Sequence, residues 1–255
     1  MKRKVFMIGA ILCAGIALFA GIKIWQHYAN DRKYTEEFEK LADIAAQETD
    51  EDTEIPEIPY DEERTVLDDY ALLYRQNNDM IGWIRIEGTT INYPVMYTPD
   101  RPNYYLNKNF DKQYSAHGVP YIDEDCNPNL PSDNLIIYGH HIRNGKMFGA
   151  LKDYTSKQFY DSHKIIQFDT LVERGEYEIV VVFKTTVYDN RGFRYYDFIQ
   201  AETEAEFTDY IDQCKVLALY DTGVSAAYGD KLITLSTCEY SAVNGRLVVV
   251  AKRVE

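Results

Sequence analysis

Basic side chains are scarce in this chain of 255 residues: 27 Lys and Arg stand against 41 Asp and Glu, a formal net charge of −14. Residues 1–27 hold four of the basic groups and no acid, so removing them leaves −18 on the rest. A body so acidic repels phosphate backbones and anionic headgroups, which excludes nucleic acid as a partner. Cysteine is also sparse, with four residues. No Cys or His spacing suits zinc, no glycine-rich loop suits a phosphate, and no internal repeat is present, so neither a metal nor a cofactor is expected.

Charge is missing from one stretch in particular. Val5–Ile22 runs for 18 residues without a charged side chain, behind Lys2, Arg3 and Lys4 and ahead of Lys23. Such a run nearly spans a bilayer core, and Ile24 and Trp25 extend it. Leu18-Phe19-Ala20 matches a signal-peptide cleavage site poorly. The expectation is a single-pass membrane anchor over residues 1–27, with the basic tip cytoplasmic and the remainder outside. Residues 28–64 are expected to form a polar helix, Tyr28–Gln47, and then a spacer. Glu48–Glu63 holds nine acids and no base, with Pro56 and Pro59 against helix, and reads as a self-repelling solvated segment.

From residue 65 onward the periodicity is that of a folded domain. Val66, Tyr70 and Leu73 recur at helical spacing within Thr65–Asn78. Eight short β-type runs follow: Ile81–Ile86, Thr90–Met96, Gly118–Ile122, Asn134–Tyr138, Lys164–Phe168, Tyr177–Val187, Lys231–Leu235 and Leu247–Lys252. Turn residues such as Gly88, Asn127-Pro128, Gly175 and Asn244-Gly245 separate them. One helix, Glu202–Leu217, interrupts the series, with Phe207, Tyr210, Ile211 and Cys214 spaced for a single buried face. Eight strands with few helices predict a mainly β fold closed into a barrel.

Chemistry is expected at two strand ends. Cys238 closes one apolar run and Arg246 opens the next, so a hairpin brings thiol and guanidinium side by side. A guanidinium keeps its proton and favours a thiolate or an oxyanion. A buried structural cysteine, and an arginine tied to an acid such as Glu239, are the plain alternatives. Beyond the expected anchor, which holds Cys13, lie Cys126, Cys214 and Cys238, an odd number. At least one is therefore free within the chain, and whether Cys126 and Cys214 pair is open. Of five histidines, His140 follows an apolar strand much as Cys238 ends one. His140 and His141 point to opposite sides if strand geometry continues, leaving one at the site. His117 and His163 sit in polar loops and are expected to be solvated. Thiol plus histidine implies acyl transfer at an amide, without saying whether water or an amine accepts.

These residues carry a resemblance. "TLSTC" at 234–238 followed by "GRLVVVAKR" resembles the signature strands of the sortases, cell-surface transpeptidases of Gram-positive bacteria. "YGHH" at 138–141 is similar to their histidine strand. "NNDMIGWIRIEGTTINYPVMY" at 77–97, and a helix before the last two strands, resemble class B. The likeness covers about residues 65–255. It implies a closed eight-stranded sortase-type barrel with an N-terminal helix, and no metal. It further implies Cys238 as nucleophile, His140 as general acid and base, and Arg246 as substrate-positioning and oxyanion-stabilising group. Tyr138, Ser236 and Glu239 occupy groove positions in such relatives, and Tyr195 and Tyr196 fall where a groove wall is built. The implied partners are surface proteins bearing a C-terminal sorting motif and an amine of a peptidoglycan precursor. Two other readings compete. A papain-like cell-wall hydrolase places cysteine before histidine, and L,D-transpeptidases carry a Ser-His-Gly-Cys type motif that is absent here. A non-catalytic anchored surface binding module leaves Cys238, His140 and Arg246 as coincidence.

Overall fold

The computed structural model describes residues 2–46, 57–128, 132–187 and 192–254. The chain divides into two compact units, Met1–Lys40 and Leu41–Glu255. Helix α1 covers Lys2–Ala45. Among the described residues no helix is long and apolar enough to cross a membrane. The expected single-pass anchor is thereby overturned, and with it the membrane as a partner through that helix. The side chains of Lys2, Arg3 and Lys4 lie outside the described residues, as do residues 48–56 of the acidic spacer. From residue 57 the chain folds back on itself: Pro59 bridges Thr65, and Asp61 accepts a hydrogen bond from Arg64 Nε at 2.7 Å.

Helix α2 spans Asp68–Gln76, shorter at its start than its periodicity predicts. Val66 and Leu67 instead give their amides to Ile58 and Leu171 carbonyls, which holds them extended. Asp68 and Asp69 in the first turn and Arg75 in the last suit the helix dipole.

All eight expected strands form: β1 Met80–Arg85, β2 Asn92–Met96, β3 Tyr121–Ile122, β4 Asn134–Tyr138, β5 Ile165–Thr170, β6 Glu176–Thr186, β7 Leu232–Glu239 and β8 Gly245–Arg253. They close into a barrel in the order β1-β2-β3-β4-β7-β8-β6-β5, so no long edge is left unpaired. Six neighbours are antiparallel; β2–β3 and β4–β7 are parallel. A parallel pair needs a long crossover, and the β4-to-β7 crossover carries β5, β6 and the inserted helix. The central strands read as continuous apolar runs because barrel packing and covering segments bury both faces: Leu232 to Thr237 and Leu247 to Ala251 are all buried.

A 3-10 helix at Phe148–Thr155 and the short helix α3, Lys157–Ser162, follow β4. The inserted helix α4 covers Glu204–Val216. Thr203 Oγ1 caps it by accepting from Glu206 N at 3.3 Å, while Glu206 accepts from Glu202 N at 2.8 Å, much as in a capping box. Phe207, Tyr210, Ile211 and Cys214 form its buried face, as their spacing predicts.

Candidate active site

The carboxyl ends of the parallel strands β4 and β7 and the start of β8 meet at one rim of the barrel. Tyr138 pairs with Ser236, and Cys238 with Arg246. Arg253 N donates to Lys231 O at 2.7 Å, which identifies the odd-numbered residues of β7 as those exchanging backbone hydrogen bonds with β8. Cys238 and Arg246 are therefore a non-hydrogen-bonded pair. In such pairs Cα atoms stand about 4.5 Å apart and side chains approach most closely, on one face of the sheet. Both residues are half-buried. Glu239, the acid expected to compete for Arg246, instead accepts from Lys184 Nζ at 3.1 Å and from Ser241 N at 2.9 Å.

Beyond Tyr138 the β4 backbone departs from regular strand geometry. Gly139 N still donates to Ser236 O at 3.2 Å, and Thr237 Oγ1 donates to Gly139 O at 2.7 Å. The two histidines that follow each meet a different backbone carbonyl. His140 Nε2 meets the Leu106 carbonyl at 2.7 Å, and His141 Nδ1 meets the Cys238 carbonyl at 3.0 Å. A carbonyl only accepts, so Nε2 of His140 carries hydrogen and its Nδ1 is the nitrogen left to exchange a proton. Leu106 lies in a 3-10 turn, Tyr104–Asn107, which no periodicity announced. The other two loop histidines are not solvated as expected. His117 is buried at 8% exposure, and His163 stacks on Phe159 with ring centroids 4.0 Å apart.

A cavity of about 260 Å³ opens beside Arg246, lined also by Tyr138, Tyr195, Tyr196, Asp123 and Leu106. Tyr138 donates to Asp123 Oδ2 at 2.8 Å; burial and the neighbouring Asp123 carboxylate push its phenol strongly up, so it stays a donor. Buried Tyr195 shares a 2.6 Å hydrogen bond with Ser236 Oγ, while Tyr196 meets it edge-on at 5.4 Å. Thus Tyr138, Tyr195, Tyr196 and Arg246 come together, with Ser236 behind them and Glu239 turned toward Lys184. Asp123, Leu106 and Tyr121 were absent from the sequence-based set. They reach the cavity from irregular segments and one two-residue strand, where pattern carries no signal.

The two other thiols of the barrel domain are unsuited to nucleophilic chemistry. Burial pushes both Cys126 and Cys214 up to about 12. No disulfide joins them; each is free and buried. Cys238 is the half-buried thiol of the barrel.

The wall that carries Tyr195 and Tyr196 is fastened to the barrel by Asp133, just before β4. Its carboxylate accepts from Lys231 Nζ at 2.8 Å, Gln200 Nε2 at 2.6 Å and Ala201 N at 2.9 Å. Asn134 adds hydrogen bonds to the carbonyls of Phe198 and Ile199. Burial raises the Asp133 carboxyl, but the Lys231 ammonium and the amide donors outweigh it and hold it below the usual range. A depressed folded-state value means stability that is present above about pH 4 and lost as pH falls through the folded value. Asp133→Asn is expected to cost about 1–3 kcal/mol and to flatten the acid limb of a stability-versus-pH curve, read by urea unfolding from pH 3 to 7.

Among the described residues no group of three or more His, Cys, Asp and Glu side chains could hold a metal ion. Comparison with known proteins places this arrangement in a family. The Sortase domain model matches residues 84–254. Sortase B of Staphylococcus aureus is 30% identical over 257 aligned residues, covering 100% of this chain and 98% of the relative. Sortase B of Listeria monocytogenes is 33% identical, covering 74% of this chain and 75% of the relative. The structure of a Staphylococcus aureus sortase B–substrate complex superposes with a TM-score of 0.75 at 30% identity, covering 89% of this chain and 98% of that one. The eight-stranded closed barrel, with its thiol–guanidinium strand pair, belongs to a sortase of class B, a family of cysteine transpeptidases that anchor proteins to the cell wall.

Proposed function

We propose that this sortase cleaves a C-terminal sorting motif after threonine and passes the acyl group to an amine of a peptidoglycan precursor. Cys238 is the nucleophile. Its sulfur attacks the threonine carbonyl carbon, and Arg246, beside it, steadies the substrate and the oxyanion. His140 takes the thiol proton as the sulfur attacks and gives it to the departing amine as the C–N bond breaks, leaving a thioester on Cys238. The incoming amine then attacks that carbonyl, and His140 takes its proton and returns it to the sulfur as the C–S bond breaks, which releases the thiol. The peptide is held extended along the cavity by Tyr138, Tyr195 and Tyr196, with Ser236 supporting Tyr195 from behind and Glu239 at the strand end next to Cys238. The observation that carries this reading is the register of Cys238 opposite Arg246 as a non-hydrogen-bonded pair beside the cavity.

The test incubates the full chain with a panel of sorting-motif peptides, with and without an added amine such as triglycine, and identifies products by mass spectrometry. A product joined to the amine supports the transpeptidase. Cleavage to the free acid alone, at a rate the amine does not alter, favours the cell-wall cysteine hydrolase. A well-folded chain that leaves every peptide intact favours a surface binding module.

A further inference from the structure

We propose that His141 is a positioning residue that holds the Cys238 backbone in place opposite Arg246. The inference rests on the reading of Cys238 as the nucleophile. Even-numbered carbonyls of β7 face β4, and the parallel ladder runs up to Gly139 N on Ser236 O. The next such carbonyl is that of Cys238. There the hydrogen bond comes from a side chain, His141 Nδ1, at 3.0 Å. Cys238 thus sits at the last position of β7 where both neighbours restrain it, β8 on one side and His141 on the other.

Past Cys238 the strand has no β4 beside it and is held by its pairing with β8 and by the contacts of Glu239 to Lys184 and Ser241. Tyr240 and Val243 of the β7–β8 turn are 68% and 86% exposed. His141 touches this turn as well: its ring meets Tyr240 edge-on at 5.1 Å, and Tyr240 Oη donates to His141 O at 3.4 Å. The His141 backbone is itself fixed, through a bridge to Met147. Met147 holds a left-handed φ of 52° and gives its amide to Tyr93 Oη at 3.2 Å. A non-glycine residue held there marks a segment whose surroundings override local preference.

Two features of His141 can be separated: a donor at the Nδ1 position and a ring against Tyr240. Asparagine keeps a donor near that position without the ring, and phenylalanine keeps the ring without the donor. Misplacing a reacting group by about 1 Å can cost 10²-fold in rate. The experiment compares full-length wild type, His141→Ala, His141→Asn and His141→Phe, with folding checked by circular dichroism. One readout is kcat and KM on the best sorting-motif peptide. The other, made without any peptide, is the rate of Cys238 alkylation by iodoacetamide at pH 7, mapped by mass spectrometry. Ala and Phe are expected to lower kcat about 10–100-fold with KM within about threefold, and to slow alkylation several-fold as the thiol drifts from Arg246. Asn is expected to recover most of both. Recovery by Phe but not Asn would overturn the proposal in favour of ring packing, as would an Ala variant unchanged in both readouts. Should wild type process no peptide while alkylation still follows the donor, the transpeptidase reading fails and the positioning role stands.

Discussion

Cys238→Ala is expected to lose peptide cleavage by at least about 10⁴-fold, the scale on which removal of a covalent nucleophile acts. The loss follows from chemistry alone, because alanine offers no sulfur to form the thioester. The fold should survive. Cys238 is half-buried at a strand end, and trading a thiol for hydrogen there costs about 0.5 kcal/mol or less. Its backbone contacts, to His141 and along β8, do not involve the side chain. Thermal unfolding within about 2 °C of wild type, together with no turnover, is the result to look for. The variant also calibrates thiol labelling. Cys126 and Cys214 are buried and held protonated near 12, so rapid labelling of the barrel in wild type should vanish with Cys238.

The second large effect is at Arg246. Arg246→Lys preserves the charge but replaces a planar fork by a point charge on a flexible stem. Removal of one oriented donor from an oxyanion site typically costs 10²–10³-fold in kcat, and that range is expected here. The neighbouring cation cannot substitute: Lys184 is engaged by Glu239 across the sheet. Steady-state kinetics on one peptide decide the matter, because a positioning and oxyanion role lowers kcat more than it raises KM. Near-normal turnover by Arg246→Lys would remove Arg246 from the mechanism.

Much of this site was legible because its chemistry sits on regular strands. Apolar β-type runs and the turn residues between them located all eight strands, and Asn134–Tyr138 falls at its predicted ends. A hairpin between two apolar runs forces Cys238 and Arg246 together whatever the rest of the fold does. The misreadings arise where geometry stops being periodic. The hydrogen bonds that place the rings of His140 and His141 run to carbonyls distant in the chain, which no local spacing reveals. Leu106 and Asp123 enter from a 3-10 turn and a loop, so they bear no spacing signature. The helical segments Phe148–Thr155 and Lys157–Ser162 are too short and too broken for a helical stripe. The charge-free run near the N-terminus misled in another way: lack of charge over 18 residues is only one of the conditions for a membrane span, and no described helix meets them all.

The most direct measurement follows the mass of the Cys238 peptide after the full chain is mixed with a sorting-motif substrate and quenched with acid. A thioester mechanism requires an adduct equal to the substrate's acyl portion, located on Cys238, absent from Cys238→Ala and discharged when an amine is added. Cleavage without that adduct, an adduct on another residue, or continued cleavage by Cys238→Ala would contradict covalent catalysis at this strand pair.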